Sequence, residues 1–263
     1  MASRSIRHTA SDRVFLGFVW VALTLFFIII AYPLAFIVSA SFSGGMSSLS
    51  LSLLPQRFSV EGYRAVFEYR WIWVGYRNSL FYLVVGTLLS LAVTVCCAYP
   101  LSRSDFAARK FVMALCVFTM YFSGGLIPTY LLVKQLGLTD SPLAILLPGA
   151  LSVYNMIVMR TYFATQIPME MREASQLDGC GDLRFLTRIV LPLSVPVLAV
   201  IGLYYAVSIW NSYFQALIYL QSRDKLPLTI FLREILILNT AGDLTQSIDL
   251  DAMASMEARQ NVM

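Results

Sequence analysis

Five stretches of this chain carry no Asp, Glu, Lys or Arg: 14–42, 78–100, 111–133, 141–159 and 189–222. All 34 charged residues lie between them or at the ends. Crossing about 30 Å of hydrocarbon takes roughly 20 apolar residues in a helix, and each stretch reaches or approaches that length. A backbone surrounded by lipid must pair its own polar groups, so a single apolar run spans as a helix. A transmembrane strand would alternate in polarity, and Leu25-Phe26-Phe27-Ile28-Ile29-Ile30 does not. The pattern predicts an all-α, polytopic membrane helix bundle with five spans.

Composition sharpens that reading. Hydrophobic residues make up 58% of the 263 positions and charged residues 13%, against about 25% charged in a soluble globular protein; mean hydropathy is +0.71. An ordinary water-soluble enzyme and a disordered chain are excluded. A net charge of +4, diluted by apolar sequence, is no footprint for nucleic acid. Cys96, Cys97, Cys116 and Cys180 show no C-x-x-C spacing, and the single histidine, His8, sits in a polar tail, so no metal centre is expected.

The first stretch follows Arg4, Arg7 and Arg13, and Val38-Ser39-Ala40 would pass as a cleavage site. Its apolar core exceeds the 7–15 residues or so of a signal peptide, so a retained helix is expected. Basic residues orient the chain. With the N-terminus inside, segments 1–13, 101–110 and 160–188 hold ten Lys and Arg in 52 positions; the outer segments hold nine in 83. The expected organisation is a cytoplasmic tail at 1–13, a transmembrane domain at 14–222, and an extracytoplasmic segment at 223–263. That last segment has a possible amphipathic piece at 226–238 and a polar helical run from Ile248. In the outer segment 43–77, Tyr63, Phe67, Tyr69, Trp71 and Trp73 mix with arginines, which suits interfacial anchoring or protein docking.

The one long inner loop, 166–192, is the informative segment. Pro168 suits a first helical turn, with Glu170 and Glu173 in that helix's N-terminal half. Gly179 and Gly181 break the run, and Asp182 can cap a second helix with an apolar stripe at Leu183, Leu186, Ile189 and Val190. Pro192 and Pro196 mark the return to the membrane. The result is a helical hairpin. It either rests on its own spans or docks in a groove of a cytosolic partner.

Glu173-Ala174-Ser175, Asp178-Gly179 and Ile189-x-Leu191-Pro192 resemble the EAA loop of permease subunits of bacterial ABC importers, a pattern of roughly E-A-A-x-x-D-G, nine residues, then I-x-L-P. Ser175 and Cys180 stand where alanine is common, both small. The resemblance runs from about Phe15 to Leu238. Gly124-Gly125-Leu126-Ile127-Pro128-Thr129-Tyr130, Gly137-Leu138 and Trp210-Asn211-Ser212-Tyr213-Phe214 are similar to the carbohydrate, maltose-type branch, within its second permease, and to the subgroup handling complex oligosaccharides such as those from pectin or alginate. The resemblance implies a type I importer in the bacterial cytoplasmic membrane. Its partners would be a second permease forming a heterodimer, two cytosolic ATPases that bind ATP and Mg, and an extracytoplasmic solute-binding protein. Glu173, Ala174, Ser175, Asp178 and Gly179 would couple this chain to an ATPase. Such permeases usually have six spans, so a sixth helix, absent from this chain, is expected.

No charge lies within a span, so an intramembrane ion relay is not expected. Tyr204, Ser208, Asn211 and Gln215 are spaced 4, 3 and 4, on one helix face flanked by aromatic residues. A stripe of amides facing lipid would be costly. Tyr205, Ser208, Trp210, Asn211 and Gln215, with Tyr154 and Asn155 in the fourth span, are therefore candidates for the sugar path, or for hydrogen bonding to the partner permease. Gly124 to Pro128 interrupts the third span, as a gate hinge or for close packing. No phosphate-loop signature is present, so ATP hydrolysis is expected in separate subunits. The alternatives are a permease for a peptide, amino acid or phosphate, and an integral membrane enzyme built on Glu170, Glu173, Asp178 and Asp182.

Overall fold

The computed structural model describes residues 10–43 and 58–237. His8, residues 44–57 of the outer segment and the helical run expected from Ile248 lie outside them. Among the described residues the chain is helical, with one isolated bridge between Ser43 and Phe58. It divides into two compact units, Met1–Tyr69 and Arg70–Met263.

The first unit is dominated by α1 (Ala10–Ser41), whose most apolar stretch has a hydropathy of 2.8 and none of its residues buried within the chain. Such a surface is stable in lipid or against another protein, not in water. The short α2 (Glu61–Glu68) follows. Its Tyr63 hydroxyl lies 2.8 Å from Ser41 Oγ, and Phe42 stacks on Phe58 with ring centroids 5.4 Å apart.

The second unit is built on α3 (Arg70–Ser102), which packs most extensively against α7 and α11. In chain order it continues with α4 (Arg109–Tyr121), α5 (Leu126–Gln135), α6 (Leu143–Leu146), α7 (Val153–Gln166), α8 (Met169–Leu177), α9 (Asp182–Phe185), α10 (Leu191–Leu193), α11 (Val195–Trp210), α12 (Tyr213–Tyr219) and α13 (228–237). The expected amphipathic piece at 226–238 coincides with α13. The main core joins Val95, Ala98, Tyr99 and Leu101 of α3 to Met156, Met159 and Phe163 of α7, and to Val197, Ile201 and Tyr205 of α11. Phe185, Leu186 and Val190 fill its end nearest the hairpin.

The all-α class expected from the sequence holds, but the five apolar stretches are not five straight rods. Among the described residues two helices, α1 and α3, are each long and apolar enough to cross a membrane, or up to four spans if each bent pair counts as one. The third stretch bends by 113° between α4 and α5, at Gly124-Gly125, where Gly125 has a φ of +83° that only glycine adopts freely. The fourth is split into the one-turn α6 and α7 by turns around Pro148 and Gly149. The fifth bends by 83° at Ser194, between Pro192 and Pro196. Pro192 has no N–H for the carbonyl four residues back, and the ladder widens into a π turn over Leu186–Val190.

At the start of α3, Asn78 donates to the carbonyls of Asp224 and Leu226 (2.6 and 3.0 Å), the Tyr82 hydroxyl donates to the Lys225 carbonyl (2.8 Å), and the Leu228 amide donates to Ser79 Oγ (2.9 Å). Asp140 closes the same corner. Its carboxylate accepts from Lys225 Nζ (2.8 Å), from the amides of Gln221 and Ser222, and from the Ser222 hydroxyl.

Candidate functional site

The hairpin forms as its residues dictate. Pro168 sits at the N-cap of α8, and the helix ends where the Asp178 amide bonds the Ala174 carbonyl and the Gly179 amide bonds that of Gln176. Gly179 has a φ of +73° with open space around its α-carbon, so backbone conformation, not crowding, calls for glycine here. Glu173, Ala174, Asp178 and Gly179 all face outward; Ser175 faces inward, its hydroxyl donating to the Arg172 carbonyl at 2.7 Å. Two apolar side chains flank the turn, Leu177 at 90% exposure and Leu183 at 75%. The expected stripe on the second helix is therefore split: Leu186 and Val190 are buried, Ile189 is half-buried, and Leu183 points away from the core.

A network that the sequence reading missed braces this hairpin. Arg172, buried on the inner side of α8, donates to Asp105 at 2.9 Å and to Asp182 at 3.3 Å. Arg103 pairs with the same two carboxylates, at 2.6 and 2.8 Å. Two arginines and two aspartates thus form a closed square linking α8 and α9 to the connection between α3 and α4. Asp182 does not cap α9; Gly181 stands at that position, and the carboxylate is committed to the arginines. The Arg103 guanidinium, and then that of Arg172, hold the Asp105 carboxyl well below the usual carboxylate range; Arg103 likewise lowers Asp182. The only signal in the sequence was charge itself, sparse elsewhere in the chain. Which charges meet from 67 positions apart in the chain is a tertiary fact.

A second feature lies deeper in the same unit. A cavity of about 300 Å³ opens between α3, α6, α7, α11 and α12, at the small end of the range for ligand pockets. Of the seven substrate-path candidates, Tyr205, Ser208, Gln215 and Asn155 line it. Trp210, Asn211 and Tyr154 do not. Trp210 packs edge-on against Tyr76, Asn211 turns its amide back to the Val207 carbonyl at 2.8 Å, and Tyr154 is exposed. The predicted four-residue stripe fails at Asn211 because α11 ends at Trp210 and the helix restarts at Tyr213. Tyr204, Ser208 and Gln215 of that stripe still reach one cavity.

Ser90 and Ser152, unremarked in the sequence, also line it, as does Ser212 of the Trp210–Phe214 motif. The Tyr205 hydroxyl is 2.7 Å from Thr94 Oγ1 and accepts from the Ser152 amide at 3.0 Å, so this phenol joins α3, α7 and α11. By contrast, among the described residues no hydrogen-bond partner holds the hydroxyls of Ser90 and Ser208 or the side-chain amides of Asn155 and Gln215. Buried polar groups normally find partners. Ser90 and Asn155 are buried residues and Ser208 and Gln215 are exposed, so the four groups line the cavity open to a ligand or to water. Among the described residues no cluster of three or more His, Cys, Asp or Glu is arranged to hold a metal ion.

Comparison with known proteins agrees with this architecture. Residues 1–241 match the family model of the binding-protein-dependent transport system inner membrane component. The chain is 39% identical over 239 residues to the polygalacturonan/rhamnogalacturonan transport system permease protein YtcP of Bacillus subtilis (strain 168), covering 89% of this chain and 83% of that one. It is also 39% identical to Protein LplC of the same organism, over 82% and 75% of the two chains. Among solved structures it resembles a bacterial ABC transporter involved in the import of the acidic polysaccharide alginate, with a TM-score of 0.83 at 34% identity, covering 92% of this chain and 89% of that one. The chain belongs to the family of binding-protein-dependent transport system inner membrane components, the membrane permeases of ABC transporters.

Proposed function

We propose that this chain is one of two permease subunits of an ATP-driven oligosaccharide importer, with its N-terminus and hairpin in the cytoplasm. ATP and Mg are bound and consumed by two separate ATPase subunits, and a solute-binding protein delivers the sugar from outside. The chain itself catalyses nothing. The observation that carries the reading is the hairpin. Glu173, Ala174, Asp178 and Gly179 face outward beside exposed Leu177 and Leu183, while Arg172 ties the inner face to Arg103 and the two aspartates. A rigid projection with uncovered leucines suits insertion into a partner groove. Because its base is fixed to α3, movement of that partner would be carried into the spans.

The cavity supplies the solute end. Sugars offer hydroxyls that suit the free amides and hydroxyls of Asn155, Gln215, Ser90 and Ser208, and C–H faces that suit the rings of Tyr204 and Tyr205. In the assembled importer, Glu173→Ala and Gly179→Asp are each expected to cut sugar uptake and sugar-stimulated ATP hydrolysis at least tenfold. Undiminished stimulation in both variants would overturn the coupling role.

A further inference from the structure

We infer that the cavity of this subunit takes an uncharged, hydroxyl-bearing sugar unit, and that any carboxylate on the imported oligosaccharide is read outside this chain. The inference rests on the reading of the cavity as part of the sugar path. It departs from the acidic polysaccharides named for YtcP and for the alginate importer.

Among the described residues that line the cavity, none is Lys, Arg, His, Asp or Glu. A carboxylate brought into a site walled by membrane helices would lose hydration without gaining a countercharge, which is heavily unfavourable. At the N-terminus of α7, the Ser152 backbone N–H is taken by the Tyr205 hydroxyl and the Asn155 backbone N–H by Ser152 Oγ. The rings of Tyr204 and Tyr205 line the cavity, and aromatic faces carry negative charge density that favours C–H groups over anions. The four unpartnered groups point the same way. Hydroxyls and primary amides each donate and accept, as sugar hydroxyls do, whereas a carboxylate only accepts.

The test uses the whole importer in proteoliposomes with its binding protein, and two probes of equal length: an oligogalacturonide and its methyl ester. Esterification removes the charge and keeps the hydroxyls. Ser208→Ala and Gln215→Ala are expected to lower uptake of both probes by the same factor, about tenfold, leaving the acid-to-ester ratio unchanged. Gln215→Lys, which places a cation in the cavity, is expected to raise that ratio at least fivefold. A selective loss of acid uptake in the alanine variants, or an unaltered ratio in Gln215→Lys, would overturn the inference. If none of the three changes altered uptake of either probe, the sugar-path reading itself would fall, and this inference with it.

Discussion

Tyr205 and Ser208 lie three positions apart on α11 and line the same cavity, yet they do different work. The Tyr205 hydroxyl is spent on Thr94 and on the Ser152 amide, so removing it strands a backbone donor in the interior. Tyr205→Phe is expected to cost about 1 to 3 kcal/mol, read as a lowered melting temperature of the purified complex. Among the described residues Ser208 has no hydrogen-bond partner, so Ser208→Ala leaves the melting temperature within a degree or so while uptake falls. A melting shift of equal size in both variants would refute the division of labour. The sequence showed polar side chains on an apolar helix, and that much located the face. It could not show that Asn211 turns back on its own helix, because the break after Trp210 depends on backbone geometry and not on residue spacing. Nor could it show that Tyr205 is a strut, since its partners come from two other helices.

Elements carry the next lesson. The hairpin was legible because its punctuation is local: Pro168 before α8, a glycine in the left-handed region at 179, and Pro192 at the return. Its bracing was not, because Arg103 and Asp105 belong to a connection far away in the chain. That square should behave as a unit. Arg172→Ala leaves Asp105 and Asp182 short of a partner, and Asp105→Ala does the same to both arginines. The double variant is expected to lose less than the sum of the singles, with a coupling energy of roughly 0.5 to 3 kcal/mol, measured as resistance of the hairpin to limited proteolysis. Simple additivity would show that the ion pairs act independently. Both carboxyls titrate below their ordinary range in the folded chain. The stability they add is therefore fully present above the unfolded value of about 3.9 and is lost only as pH falls below it. Protease resistance should stay flat from neutral pH to about pH 5 and drop in stronger acid.

At the scale of the molecule, α3 strings three features of the second unit along one helix. Asn78, Ser79 and Tyr82 hold the segment 224–228; Ser90 and Thr94 lie at the cavity and its tyrosine strut; Arg103, just past the end, enters the hairpin brace. At about 1.5 Å per residue, some 20 Å separates the cavity from the brace. Helices this well packed move as bodies, so a displaced hairpin would tilt the walls of the cavity. A polar cavity cannot be left open to hydrocarbon, whereas the apolar surface of α1 can. The open side of the cavity must therefore meet water or a second permease. This makes water access the property to measure. With Cys96, Cys97, Cys116 and Cys180 replaced by serine or alanine, Ser208→Cys in the assembled importer should react with a water-soluble thiol reagent, and sugar should slow that reaction. If the hairpin couples to the ATPases as proposed, labelling should also change severalfold when they bind a non-hydrolysable nucleotide, because closure at the hairpin end would alter access at Ser208. A cysteine at 208 that never reacts, or that reacts at one rate whatever the sugar and nucleotide, would sever the cavity from the transport cycle.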